Sequence, residues 1–143
     1  WGIAGLLHDL DEEQCDWQHN MSVHGPTSVE ILKKEGIDDS VLGDAIKAHN
    51  PKCGMKAKTN LQYALLAADP MSGFVKAVAQ IYPDKKIASV KHKSVMKRFN
   101  ELRFASGANR DYMEAIEFTG LSLDDLIDVA LEEMGAIADV LGL

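Results

Sequence analysis

Asn60-Leu61-Gln62-Tyr63-Ala64-Leu65-Leu66-Ala67-Ala68-Asp69 decides the fold class. Leu61, Leu65 and Asp69 recur at i, i+4 and i+8, which is one stripe of an α-helix. Pro70 is expected to stop that helix, with residues 73–82 continuing as a separate one. The same grammar extends upstream. Leu42, Ile46 and His49 form the stripe of a helix over Asp39 to His49, with Val41 and Ala45 beside it and Pro51 beyond. Gly25-Pro26 fits a helix start and Gly36 a helix stop, and Val29 and Leu32 supply the apolar side. Downstream, Lys91 to Arg103 reads as a basic helix with Val95, Phe99 and Leu102 inside. Asn109 caps a helix that Gly120 ends. Ser122 with Asp125 resembles a capping box and opens an amphipathic helix to about Val140. No segment sustains the two-residue alternation of a strand. The expected fold is all-α, a compact multi-helix bundle in one domain over residues 1–143. The Tyr82-Pro83-Asp84 turn is too short to separate domains.

Composition agrees with a globular protein: 46% hydrophobic and 26% charged over 143 residues. No apolar run approaches the ~20 residues of a membrane-spanning helix. The two cysteines, Cys15 and Cys53, form neither a CxxC nor a disulfide framework, so reduced thiols and a cytoplasmic location are expected. The chain starts at Trp1, and Trp1 to Leu7 reads as the last turns of a buried helix, so an upstream segment is expected. Net charge is −7. Residues 85–110 nevertheless hold eight of the fifteen basic residues and a single acid, Glu101. A basic island in an acidic chain suits a local anion site better than a nucleic-acid polymer, which favours a basic domain.

Two polar residues stand out by position. His49 and Asp69 each occupy an apolar stripe near the end of a helix. A carboxylate among leucines needs a metal, an arginine or a hydrogen-bond network. His8-Asp9 follows the apolar run Ile3 to Leu7, where the chain turns at Leu10-Asp11-Glu12. Neighbouring residues can serve one site where a helix is ending. Imidazole and carboxylate without thiolate is the ligand set of Zn, Mn, Fe, Ni or Mg chemistry. Asp11, Glu12 and Glu13 read as a solvated turn, with Asp11 near enough to assist a metal-bound water. His19 and His92 read as surface residues.

Gly5-Leu6-Leu7-His8-Asp9, Val23-His24-Gly25, Ala45-Ile46-Lys47-Ala48-His49, Ala67-Ala68-Asp69 and Gly107-Ala108-Asn109-Arg110 together resemble the HD superfamily of metal-dependent phosphohydrolases, closest to the small bacterial HD or HDIG type. The resemblance runs from Trp1 to about Leu143. It implies His8, Asp9 and Asp69 as primary metal ligands and His24 and His49 as the additional histidines of two-metal members. It also implies a further ligand histidine on a helix upstream of Trp1. Asp11 stands where HDIG would have Gly, and Asn50 where some two-metal members have a second His.

The activity so implied is hydrolysis of a phosphoester or phosphoanhydride in a nucleotide or small phosphorylated compound. One or two divalent cations would acidify water and relieve phosphoryl charge. Asp9 and Asp69 are the expected catalytic carboxylates. Lys91, Lys97, Arg98 and Arg110 are the candidates for substrate phosphate, against the alternative of a solvated basic face. A non-catalytic nucleotide-binding or regulatory module and a di-iron oxygenase are the competing functions on the same fold.

Overall fold

The computed structural model describes every residue, Trp1–Leu143. Its elements are α1 (Gly2–Leu7), α2 (Pro26–Lys34), α3 (Ser40–Ala48), α4 (Asn60–Gln80), α5 (His92–Phe99), α6 (Arg110–Glu114), α7 (Leu123–Ala136) and α8 (Ala138–Leu141), with short 3-10 turns between them and no strand. No helix is long and apolar enough to cross a membrane. The chain divides into two units, Trp1–Leu66 and Ala67–Leu143, the division falling within α4.

Local chemistry accounts for most helix starts. Gly25 and Pro26 open α2. The Asp39 side chain accepts from the amides of Val41 and Leu42 to cap α3. Asn109 caps α6 through the Tyr112 amide, and Ser122 and Asp125 form a reciprocal capping box on α7. Gly120, at φ +90°, closes the 3-10 turn Ala115–Thr119 that follows α6.

Four expectations need revision. Pro70 does not end the third helix, because α4 runs unbroken to Gln80. A proline inside a helix forfeits one backbone bond, at about 3 kcal/mol. The burial of Met71, Phe74, Val75, Val78 and Ala79 just beyond it offsets that loss. The basic helix stops at Phe99, where Asn100 turns its side-chain amide back onto the Met96 carbonyl, and Leu102 is exposed rather than inside. The C-terminal helix breaks at Ile137 into α7 and α8. In α1 only Ala4 is buried, while Ile3 and Leu6, and Trp1 just before the helix, are exposed.

In the first unit, Ala4, Ala45 and Leu65 pack with Leu42 and Leu61, holding α1 beside α3. This contact brings the C-terminal end of α1 near that of α3. In the second unit, Phe74 makes T-shaped contacts with Phe99 and Phe104, beside fully buried Val95, Met113 and Ile127.

Candidate metal centre

Two histidines end two helices in the same way. His8 is the C-cap of α1 and His49 the C-cap of α3. Each turns Nδ1 back on the carbonyl three residues earlier, His8 onto Gly5 at 2.7 Å and His49 onto Ile46. Those carbonyls lack helical partners, so the imidazoles complete the helix ends. A carbonyl oxygen only accepts, so each Nδ1 carries the proton and each Nε2 presents a lone pair.

His24 reaches the same place from the other side. It precedes α2 and directs Nδ1 at Oδ1 of Asp11, 2.8 Å away. Asp11 is fully buried, and its Oδ2 accepts the amides of Gly25 at 2.7 Å and Ser28 at 3.1 Å. A carboxylate used in this way accepts from the His24 Nδ1–H as well, which leaves the His24 Nε2 as the free lone pair.

Three Nε2 atoms and the Asp9 carboxylate therefore surround one another. Nε2 of His49 lies 3.0 Å from Nε2 of His24 and 3.6 Å from Asp9 Oδ1. Asp9 Oδ1 lies 3.4 Å from His24 Nε2, and Asp9 Oδ2 lies 3.2 Å from His8 Nε2. The His49 ring stands nearly perpendicular to both others, with centroids 4.9 Å from His8 and 4.8 Å from His24. One ligand atom from each of His8, Asp9 and His49 fits within 4.8 Å. Atoms bound at roughly 2.1 Å to a common cation stand about 3.0–3.4 Å apart in octahedral or tetrahedral geometry. The separations of 3.0, 3.2 and 3.4 Å fall in that range, and the 3.6 Å between His49 Nε2 and Asp9 Oδ1 lies just beyond it.

The donor set fits a divalent transition ion. Converging lone pairs in a buried setting repel unless a cation or a proton lies between them. His49 is almost wholly buried, whereas Asp9 keeps 41% of its side chain exposed, so the cluster is closed on the imidazole side and open beside the carboxylate. Burial pushes the Asp9 carboxyl up. The hydrogen bond with His8, and positive charge on His8, His49 and His24 when they hold protons, more than offset this, and the net direction is downward.

Comparison of the chain with protein-family models, with curated proteins and with solved structures gives no match.

Of the residues singled out by sequence, His8, Asp9, His24 and His49 come together in the first unit. Asp69 belongs to the second, in α4, where it lines a cavity with Pro70, Gly73, Ala105, Gly107 and Ala108. Its place among the ligands rests on the resemblance to the HD superfamily. Lys91 is the N-cap of α5 and is exposed. Arg98 pairs with Glu101 and lies over the Phe104 ring. Lys97 lines a cavity with Arg98. Arg110 is used differently from the expectation. Its guanidinium donates to the carbonyls of Phe99, Phe104, Ala105 and Ala108 at 2.5–3.4 Å and stacks over Phe74, 4.5 Å from the centroid. Burial lowers its pKa. These contacts commit the side chain to holding the 99–108 segment rather than a substrate phosphate.

The structural roles of three residues at the centre differ from or go beyond what the sequence suggested. Asp11, read as part of a solvated turn and near enough to assist a metal-bound water, is fully buried and orients His24. Ser28 donates to the His8 carbonyl at 2.9 Å and accepts the Asp11 amide at 3.1 Å. Asn50 donates to the carbonyls of Met21 and His24 and so fixes the loop that carries His24. Asn50 was visible as a departure from the two-metal pattern; its role as a clamp was not.

Proposed function

We propose that the chain is a metal-dependent phosphohydrolase acting on a nucleotide or another small phosphorylated compound, with its cation held by His8, Asp9, His24 and His49. The observation that carries this reading is the convergence of three Nε2 lone pairs on one carboxylate, each fixed by a separate acceptor on Nδ1. Metal-ligating histidines characteristically donate the second ring N–H to a carbonyl or carboxylate. Here all three do so, to Gly5, Ile46 and Asp11.

A divalent cation bound there would supply an acidified water, with a pKa of about 7, and charge relief for a phosphoryl oxygen. Three imidazoles favour a transition ion such as Zn, Mn, Fe or Ni over Mg. The residues do the remaining work. His8 and His49 anchor the ligand set to two helix ends, and their backbone pins leave little freedom to reorganise. Asp9, on the open side, faces solvent and thus an arriving substrate. One of its oxygens lies toward His8 and the other toward His24 and His49, so it would help hold a cation on either side. Asp69 enters this reading through the resemblance, as a further ligand.

Metal content by mass spectrometry, paired with a phosphate-release panel of nucleotides and phosphomonoesters, tests it. The expected result is bound transition metal and release that chelation stops and metal restores. Asp9→Asn should remove release, and His24→Gln should lower metal content. Asp69→Ala should abolish turnover while the protein stays helical; turnover that survives it removes Asp69 from the assignment. Metal binding and nucleotide binding with no turnover would identify a regulatory module in place of an enzyme. Release indifferent to chelation would remove the metal from the chemistry.

A further inference from the structure

The second unit contains a cavity of about 430 Å³ built entirely from residues 78–98. Its apolar wall is Val78, Ile81 and Pro83, at the end of α4 and in the turn after it. Its charged wall is Lys93, Lys97 and Arg98 on α5. Tyr82 and Ser94 join the two walls, the Tyr82 hydroxyl donating to Ser94 Oγ at 2.8 Å.

The charge arrangement is unbalanced. Arg98 has Glu101 beside it, but neither Lys93 nor Lys97 has a carboxylate within ion-pair distance. Lys93 and Lys97 are i and i+4 on one helix, so their ammonium groups share a face and repel. An anion between them would turn that repulsion into attraction, with charge-assisted hydrogen bonds from both. A solvated basic face needs no concave apolar wall opposite it, and here the wall is present. The size is within the ordinary range for small-molecule sites, about 300–1,000 Å³.

We infer that this cavity binds a small phosphorylated molecule with an apolar body, its phosphate at Lys93, Lys97 and Arg98 and its body against Ile81 and Pro83. The Tyr82–Ser94 bridge holds the opening between the walls before the ligand arrives. The inference moves Lys97 and Arg98 from the expected substrate-phosphate role to a cavity of their own with Lys93, and it requires neither the metal centre nor the proposed hydrolysis.

Phenylphosphonate serves as the probe, since it carries both parts and resists hydrolysis. It is titrated into the full chain at low salt, with chelator present so that no cation at the histidine cluster can hold the phosphonate, and followed by the NMR signals of Tyr82, Ser94 and Lys97. Saturable shifts are expected. Lys97→Gln should weaken binding about tenfold, the size of one lost charge-assisted contact, and Lys93→Gln with Lys97→Gln should weaken it further. Methylphosphonate, which keeps the head and lacks the ring, should bind less tightly. Both lysines are exposed, so these variants should keep the wild-type circular dichroism. Absence of saturable shifts, affinity unchanged in the double variant, or equal affinity for methylphosphonate would each overturn the inference.

Discussion

Oδ1 of Asp11 lies 2.8 Å from Nδ1 of His24, a side chain thirteen residues away. The other oxygen of the same carboxylate holds the amides of Gly25 and Ser28, at the start of α2. One buried group thus aims an imidazole and fixes the helix that follows it. It also decides which nitrogen of His24 carries the proton, and that choice controls whether the ring can ligate a metal.

Asp11→Asn separates these roles. The new carboxamide oxygen must stay with the Gly25 and Ser28 amides, because turning its NH2 toward them would set donor against donor. The NH2 then faces His24 Nδ1, where only an acceptor fits. His24 is driven to carry its proton on Nε2, which takes that lone pair out of the cluster. Affinity for Zn²⁺ or Mn²⁺ should fall by about 10–100-fold, as for other groups that orient metal-binding histidines. Stability should fall by only about 1–2 kcal/mol. Calorimetric metal titration beside urea unfolding gives both numbers; unaltered affinity would show that the Asp11–His24 bond does not set the tautomer.

Gly25 makes a second test of how the site is held. Its φ is +89°, and a Cβ added there would lie 3.1 Å from the Ile46 carbonyl oxygen and 3.6 Å from Cε1 of His49. The Ile46 carbonyl is the one that anchors His49 Nδ1. Gly25→Ala therefore strains its own backbone and presses on the end of α3, at about 2 kcal/mol. Urea unfolding should show the loss, and metal affinity should drop with it. A variant as stable as the parent would mean that the start of α2 can withdraw from α3 freely.

Legibility followed the range of the interactions. Asn109, Ser122 and Asp125 act on backbone amides within three residues, so their capping roles could be read directly. His8 and His49 were conspicuous because each closes an apolar stretch, and both proved to be helix caps turned inward. The burial of Asp11 and its hold on His24 were hidden for the opposite reason. The residue sits in Asp11-Glu12-Glu13, a segment that looks solvated, and its partners lie 13 to 17 residues away. Pro70 misled because its rule is local, while the side chains that sustain α4 past it are buried by tertiary packing.

Arg110 was legible as an arginine with a special task but not as to which task. Four carbonyls and an aromatic face now define it. Arg110→Ala should destabilise the second unit by about 2 kcal/mol, since four part-buried carbonyls lose their donor. Arg110→Lys should recover little, because an ammonium cannot reproduce the planar fork that reaches several carbonyls and stacks on Phe74. Thermal unfolding of the two variants checks this. Full stability in both, with a raised KM for a phosphorylated substrate, would return Arg110 to the role of phosphate ligand.

The pH response of the second unit should centre on His92. Its Nδ1 lies 2.6 Å from Asp128 Oδ1 and its Nε2 2.7 Å from Asp124 Oδ1, so the ring of an α5 residue bridges two carboxylates one turn apart on α7. Both nitrogens face acceptors, which favours the doubly protonated ring. The Asp128 hydrogen bond raises the His92 pKa most; burial opposes it, and the Asp124 bond and the charge of both aspartates add to the rise. A pKa raised on folding stabilises the folded state fully below the unfolded value, about 6.5, and that contribution disappears as pH climbs through the folded value. The three side chains are partly exposed, so salt should screen the effect. The difference in urea midpoint between wild type and His92→Gln should therefore be largest near pH 5, shrink toward alkaline pH, and diminish in high salt. Taking the difference cancels the titration of the histidine cluster in the first unit. A difference that grows with pH would mean that His92 is held as the neutral ring, with the two aspartates bridged by something other than its charge.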